Sequence, residues 1–235
     1  MFGSYNIPFE IETDDISLRI EKLDGIYLYR RDANNENVAK NLMDVEGSLL
    51  INPIEPLNRP KKITSYLLIE FERPVILSPG SSTIAYIRFP IEIGVFISGK
   101  GKYEILDIIS LSKKKFTLYG DPSDGVICKY WKSEIYTTVP EMNSLYEGVI
   151  EMNIINETHK WSEITRTVLN AYGMKIYHTS DMVSMKINMR ITGQKTAFTE
   201  FVNSPLKENM KKSLEIYALG IVRVSSGNYL MEKGL

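Results

Sequence analysis

Histidine and carboxylate side chains are the first residues to weigh for chemistry, because together they build metal sites and acid–base pairs. The chain has only two histidines, His159 and His178. Glu157 and Glu163 flank His159, and Asp181 follows His178. A metal site needs three or four ligands within about 2.0–2.3 Å of one ion, so it would form only if the fold brought these residues together. We interpret both histidines as structural or surface residues and predict no metal site and no cofactor.

The single cysteine, Cys128, is the second candidate, here as a nucleophile. A reactive thiol needs a nearby base and partial exposure, whereas free cysteines are among the most buried residues. Cys128 lies in an alternating stretch, 125–131, so we predict a buried structural thiol. We assign no catalytic residue. One cysteine allows no disulfide within the chain, which fits a reducing compartment.

An acidic loop offers oxygen ligands at Asp121, Ser123 and Asp124. Calcium uses such ligands, but the loop lacks the regular spacing of an EF-hand. Asp and Ser also bond locally to backbone N–H groups in turns. We interpret the loop as a turn, with a calcium site as the alternative.

Aromatic and cationic side chains occur together near the first hairpin, at Tyr27, Tyr29, Arg30 and Arg31. That mixture suits sugar, peptide or single-strand binding. An ordinary cross-strand aromatic face explains it as well, and we prefer that interpretation. No phosphate-binding loop is recognisable, and the glycines of 193–196 and 99–102 indicate hairpin turns instead.

Composition and charge narrow the function classes. The 235 residues are 43% hydrophobic and 24% charged, and the net charge is −1. This balance lacks the basic footprint of a nucleic-acid binder, so we expect no nucleic acid as partner. The longest uncharged run, Pro74–Ile87, is too short and too polar to span a bilayer. No signal peptide is recognisable, and we expect a cytoplasmic protein.

The apolar stretch Thr83–Ser98 is the segment around which we expect the fold to be organised. Apolar residues alternate on both sides of Pro90, and side chains alternate across a strand. Proline lacks the N–H that a ladder needs, so Pro90 should separate two strands. The glycines Gly99 and Gly101 then predict a hairpin to a third strand.

Other stretches predict further strands. Asp24-Gly25 lies between two alternating runs, which is a strong hairpin signal. Ile63–Phe71 is apolar on both faces, as a central strand requires. Val183–Ile191 alternates without interruption and predicts a half-buried strand. Strands at this density indicate β-sandwiches.

We therefore predict a mainly β protein built of antiparallel β-sandwiches in two domains. The turn cluster at Gly120 would divide an N-terminal sandwich-like domain, 1–119, from a C-terminal β-rich domain, 120–235. Helical spacing predicts one short helix at 161–172, capped by Ser162 and stopped by Gly173, and Ser204-Pro205 predicts another at 205–212.

The segments Arg88–Val95 and Gly125–Tyr130 resemble a family of uncharacterised archaeal proteins of about this length. The resemblance covers most of the chain. It implies no activity, substrate or catalytic residue, and it favours a prokaryotic, intracellular setting.

Two functions remain open. A non-catalytic binding or assembly module, with an unknown protein partner or self-association into an oligomer, fits the abundance of strands and the scarcity of catalytic residue types. An exposed strand edge is one means of such association. The alternative is a carbohydrate- or nucleotide-processing enzyme whose carboxylates are assembled only by the fold, as glycoside hydrolysis requires.

Overall fold

The fold is described by a computed structural model, which covers residues 1–43, 47–59, 62–99, 102–113, 115–218 and 228–235. Within these ranges the chain contains no α-helix and two 3-10 turns, Ala171–Gly173 and Ile216–Ala218. The same ranges contain nineteen β-strands: β1 Gly3–Asn6, β2 Phe9–Glu12, β3 Ile16–Leu23, β4 Ile26–Ala33, β5 Glu36–Leu42, β6 Ser48–Ile54, β7 Tyr66–Leu77, β8 Ser82–Pro90, β9 Glu92–Gly99, β10 Lys102–Ile109, β11 Phe116–Tyr119, β12 Val126–Ser133, β13 Glu147–Asn156, β14 Ser162–Asn170, β15 Tyr177–His178, β16 Val183–Ile191, β17 Ala197–Val202, β18 Lys211–Lys212 and β19 Tyr229–Met231.

The strands form four sheets. Two are wholly antiparallel, with the orders β1-β6-β9-β10 and β2-β3-β4-β5. A third has the order β11-β12-β7-β14, in which β12 and β7 are parallel. The fourth runs β18-β15-β16-β13-β8, with β17 beside β16 and β19 beside β17, and its β13 and β16 are parallel. The mainly β class is confirmed, with two parallel pairs that the sequence pattern did not indicate.

The stretch chosen as the organising segment joins two of these sheets. β8 ends at Pro90 and β9 begins at Glu92, so the proline marks the break as predicted. β8 pairs with β13, whereas β9 lies between β6 and β10. The side chains at Ile91, Ile93 and Val95 are fully buried. This one segment therefore contributes buried side chains to the core in both sheets.

Local turn chemistry sets the hairpins. Asp24 and Gly25 both have positive φ, 45° and 86°, and they connect β3 to β4 with Leu23 opposite Ile26. Two positive φ values give the turn that matches strand twist, which glycine and Asp tolerate. The β9–β10 hairpin also forms, with Lys102 opposite Gly99, although residues 100–101 lie outside the described ranges.

The central strand and the half-buried strand are confirmed. β7 lies between β12 and β14, and Leu67, Leu68 and Ile69 are buried. Ile63 was predicted to belong to this strand, but β7 begins at Tyr66 and Ile63 is 46% exposed. β16 spans Val183–Ile191, which are the predicted bounds.

The helix predicted at 161–172 is wrong. Ser162–Asn170 is strand β14, which pairs antiparallel with β7, and only a 3-10 turn follows it. Ile164 and Val168 are both buried and lie four residues apart. A spacing of four places side chains on one face of a helix and equally on one face of a strand. The β-branched residues of this segment, together with its place beside β7, favour the strand.

The helix predicted at 205–212 is also wrong. Residues 203–210 form bends and turns, with the Met210 N–H donating to the carbonyl of Lys207 at 3.1 Å. Lys211–Lys212 then forms β18 against β15. The chain is held here by its neighbours, since the Ser213 N–H donates to the carbonyl of Ile176. The apolar residues of Leu214–Val224 predict a final strand. Its described part, 214–218, instead contains the 3-10 turn Ile216–Ala218, and 219–224 lie outside the described ranges.

Two sheets contain strands from both sides of residue 120. β12 pairs with β7, and β13 pairs with β8. Buried apolar residues of all four sheets form one continuous core cluster. The division into domains at Gly120 and the sandwich arrangement of the sheets stay predictions, and any such division must account for these shared sheets.

Candidate functional site

A fully buried ion pair lies between two sheets. Glu92 begins β9 and Lys129 lies in β12, and both residues are at most 1% exposed. The Lys129 ammonium donates to Glu92 Oε1 at 3.1 Å. The Glu92 carboxylate also accepts from the backbone N–H groups of Asn58, at 2.8 Å, and Arg59, at 3.1 Å. A buried charge is tolerable only when it is paired and hydrogen-bonded, and Glu92 has three donors.

A second buried carboxylate, Asp107, continues this network. It accepts from the Tyr29 hydroxyl at 3.0 Å, from Arg31 Nε at 3.0 Å and from Arg59 Nη2 at 3.1 Å. Burial and the adjacent Asp107 raise the pKa of Tyr29 far above its ordinary value, so this tyrosine stays a proton donor. Since Arg59 touches both carboxylates, one network joins β4, β9, β10 and β12.

A β-bulge aims Asp107 inward. The register of β10 against β9 shifts between Ile105 and Asp107. In a regular strand these two residues would share a face, yet Ile105 is 47% exposed and Asp107 only 4%. An extra residue in one strand re-aims the side chains that follow it. The bulge at Leu106 is thus what places the carboxylate beside Arg31.

A third carboxylate, Glu55, lies beside the network with one oxygen unpartnered. Glu55 is 2% exposed, and its Oε2 has no hydrogen-bond partner in the described part of the chain. Burial raises the pKa of Glu55 to about 8, and the negative charge of Glu215 adds to this. Burial acts to raise the pKa of Glu215 too, but hydrogen bonds from Lys175 and Lys212 outweigh it and lower that pKa.

Glu55 and Glu215 face a crevice that also contains Ser213. The crevice is too narrow to hold a water molecule. A catalytic acid with a raised pKa must reach substrate, and Glu55 reaches none here. These two carboxylates are therefore enclosed by the fold and do not form an open catalytic centre.

Two open grooves lie at the surface instead. One, of about 420 Å³, crosses the outer face of the sheet β2-β3-β4-β5 and carries exposed charged side chains. Arg19 and Arg30 are directly opposite each other, and Glu21 pairs with both, at 3.1 and 3.6 Å. Glu12 and Asp32 lie on either side of Ser17. The groove therefore presents both signs of charge.

The other groove, of about 530 Å³, lies beside the first residues of β12. It is lined by residues 62–66 and 125–127 together with Tyr172. Tyr172 packs against Tyr217 with ring centroids 4.4 Å apart. The Lys62 ammonium stands 4.3 Å from the Tyr172 ring centroid and 4.9 Å from that of Tyr217. A cation over two tyrosine faces is a favourable arrangement.

Exposed apolar side chains cluster around this second groove. Ile63 and Ile127 line it, and Leu118 on β11 lies directly opposite Ile127. Phe116 lies two residues from Leu118, on the same face of β11. All four are at least 38% exposed. We name Ile63, Phe116, Leu118 and Ile127 the β11 surface.

The structure does not bring the two histidines together. His159 is exposed in the connection between β13 and β14, whereas His178 is buried in β15. Burial lowers the pKa of His178, whose ring contacts Phe2 edge-on at 5.4 Å between centroids. Asp181 accepts from Thr179. Among the described residues, no group of three or more His, Cys, Asp or Glu side chains is placed to hold a metal ion.

Cys128 is fully buried, as predicted, and burial raises the pKa of its thiol to about 12. The acidic loop is a turn: the N–H groups of Asp124 and Gly125 donate to the carbonyl of Asp121. The Lys233 ammonium lies 2.6 Å from the Asp124 carboxylate and donates to the Asp124 carbonyl at 2.7 Å. A lysine therefore supplies the positive charge at this loop.

The aromatic–cationic group of the first hairpin is divided between two faces of its sheet. Tyr29 and Arg31 are buried in the network around Asp107, and Arg30 is exposed in the charged groove. The four residues do not form one binding face. At 192–196 a hairpin turn forms, as predicted, with the Gly193 N–H donating to the Thr196 carbonyl.

Sequence reasoning missed Glu92, Lys129, Asp107 and Glu55. Each has apolar residues on both sides in the sequence, and the charge among them was not weighed. A lone charge among buried apolar neighbours is itself a signal, since such a residue is almost never fully buried unless it is paired. Its partner is a matter of tertiary contact.

Comparison with known proteins identifies a family. A family model described as "Protein of unknown function (DUF432)" matches residues 1–232, so the resemblance to an uncharacterised family that covers most of the chain is confirmed. No curated protein and no solved structure matches the chain. Among the described residues, no helix is long and apolar enough to cross a membrane.

Removing one partner of the buried ion pair should be costly. We expect Lys129→Met to lower the free energy of unfolding by about 3–5 kcal/mol, because it leaves Glu92 as an uncompensated buried charge. Combining it with Glu92→Gln should cost less than the sum of the two single changes. Denaturant unfolding of the four proteins measures this coupling. Arg19→Met, which breaks an exposed pair, is the control, and an equal loss in it would contradict the assigned role.

Glu55 should make stability fall with rising pH. Its pKa is about 8 in the fold, against an ordinary value of 4.5, so the folded state holds the extra proton between these pH values. Stability is then fully present below about 4.5 and is lost as the pH rises through about 8, by on the order of a few kcal/mol. Thermal unfolding from pH 5 to pH 9 should show this decline, and Glu55→Gln should flatten it. The exposed Glu141→Gln should leave it unchanged, and a flat wild-type profile would refute the assignment.

Proposed function

Since the chain belongs to the DUF432 family, whose description gives no activity, we propose from its geometry that it is a non-catalytic binding or assembly module. Its docking site is the β11 surface, and its partner is a protein that presents an extended apolar strand. The observation that carries the proposal is the cluster of four exposed apolar side chains beside an open groove and a sheet edge.

The position of this cluster supports the proposal. On β12 the face that carries Ile127 also carries Lys129, two residues on, and Lys129 is buried. The layer that covers Lys129 therefore ends before Ile127, which is 53% exposed. Contiguous exposed apolar side chains mark interaction sites more often than scattered ones do.

The disposition of the carboxylates also supports a binding role. Glu55, Glu92 and Asp107 are buried and take part in contacts between sheets or face the closed crevice. Among the described residues, those that line the groove beside the β11 surface include no carboxylate. Its lining combines a lysine, two tyrosines and small polar residues with the apolar Ile63, Val126 and Ile127, which suits recognition.

A crosslinking experiment tests the site. A photo-reactive amino acid at Ile127 or Leu118 should give adducts of discrete mass in cells that produce the protein. The same group at Ile84, which is 55% exposed on β8, should give none. Trp161, which is 68% exposed, is the test position for a partner that docks elsewhere on the surface. Adducts from position 161 alone, or from none of the positions, would contradict the choice of the β11 surface.

A second candidate function rests on the charged groove. There Glu12 and Asp32 lie two strand spacings apart, roughly 10 Å between Cα atoms. From Cα atoms at that distance, the two carboxyl groups can reach the separation of about 5–9.5 Å that glycoside hydrolysis uses. This observation favours a carbohydrate- or nucleotide-processing enzyme as the alternative.

Hydrolysis assays separate the two functions. If the alternative holds, the purified chain cleaves a glycoside or nucleotide substrate, and Glu12→Gln or Asp32→Asn lowers the rate at least a hundredfold, as loss of a general acid or base does. Glu141→Gln, outside the groove, serves as the control. We expect no turnover above background in the wild type, and reproducible turnover that requires both carboxylates would overturn the binding proposal.

A further inference from the structure

We propose that the partner at the β11 surface is a second copy of this chain. The β11 strand of one copy pairs with the β11 strand of the other in antiparallel orientation. This inference rests on the proposed function and specifies its partner. The two four-stranded sheets β11-β12-β7-β14 would become one eight-stranded sheet across a two-fold axis. An interface of this kind is isologous, so the same strand must complement itself.

The backbone groups of β11 that have no partner among the described strands are the first element of this complementarity. β11 is the edge strand of its sheet, and β12 is the strand paired with it among the described residues. The Tyr130 N–H donates to the Lys115 carbonyl at 2.8 Å, which makes 115 and 130 a hydrogen-bonded pair. Such pairs alternate along an antiparallel ladder, so residues 117 and 119 also face β12.

The N–H and C=O groups of Phe116 and Leu118 consequently point away from β12. The carbonyl of Ile127, opposite Leu118, supports this alternation of inward and outward groups. It accepts from the Thr64 hydroxyl on the side of β12 away from β11. A two-fold axis at Thr117 would place Phe116 of one copy opposite Leu118 of the other. All four outward groups of each strand would then be paired.

The exposed side chains fit the same register. Phe116 and Leu118 are 38% and 41% exposed. In the antiparallel pair each phenyl ring would lie opposite a leucine of the other copy. Aromatic and aliphatic cross-strand pairs stabilise a sheet, so the pairing covers side chains that are otherwise in water.

Charge complementarity selects the antiparallel direction. Exposed lysines, Lys113 and Lys115, precede β11, and the exposed Asp121 follows it. Lysines beside a free edge ordinarily prevent unwanted pairing. With the axis at Thr117, the residue count sets Lys113 of one copy against Asp121 of the other, each beyond an end of the paired strands. A parallel pairing would set lysine against lysine, and like charges oppose association.

The solution mass of the full chain tests the inference. We expect light scattering to give a dimer at micromolar concentration. Leu118→Lys, which places two charges near the axis, should give a monomer, because both copies carry the change. The exposed Ile84→Lys on β8 should leave the dimer intact, and circular dichroism confirms that each variant is folded.

A charge exchange tests the register. Lys113→Asp and Asp121→Lys should each raise the dissociation constant roughly fivefold, and the double variant should return it close to the wild-type value. Separate folding effects of the two changes would not cancel in this way. A double variant as weak as the single ones would overturn the proposed register.

Two outcomes distinguish this inference from the proposed function. A wild-type monomer at 100 μM overturns self-pairing, and so does a dimer that persists in Leu118→Lys. If that monomer still gives crosslinks from Ile127 to a different protein in cells, the docking function stands with another partner. If it gives none, both proposals fail.

Discussion

The ion pair between Glu92 and Lys129 is the interaction on which the arrangement of the sheets depends. Each charge is buried, and each would be costly without the other. The carboxylate also binds the backbone of Asn58 and Arg59, and Arg59 extends the network to Asp107 and from there to Arg31. An apolar core is tolerant of small shifts between layers, whereas charge-assisted hydrogen bonds require defined distances and directions. The network thus fixes how three sheets meet.

The buried carboxylates that the structure describes are paired or face a closed crevice. The carboxylates with unusual surroundings, Glu55 above all, face a crevice that excludes even water. A perturbed pKa is a guide to function only where the group also reaches a cleft. In this protein the perturbation follows from burial, and the candidate surfaces for recognition lie outside, at the charged groove and at the β11 surface.

The β11 surface and the network are connected through β12. Lys129 anchors the middle of that strand in the core, and Ile127, only two residues away, lies in solvent. The edge strand β11 pairs with this anchored strand, and among the described strands none pairs with its outer side, where Phe116 and Leu118 are exposed. Membership of a family of unknown function adds no chemistry, and the exposed edge with its flanking charges is the feature that favours recognition.

The sequence by itself determined the mainly β class, the break at Pro90, the Asp24-Gly25 hairpin and the bounds of β16, because each depends on local properties: alternation, proline geometry and positive φ. Only the tertiary structure decided that Ser162–Asn170 is a strand, since the spacing of Ile164 and Val168 fits both kinds of element and the neighbouring β7 selects one. It also decided the parallel pairs and the partners of Glu92 and Asp107. These contacts join residues far apart in the chain, and a local pattern contains no information about what lies across a sheet or beyond a bulge.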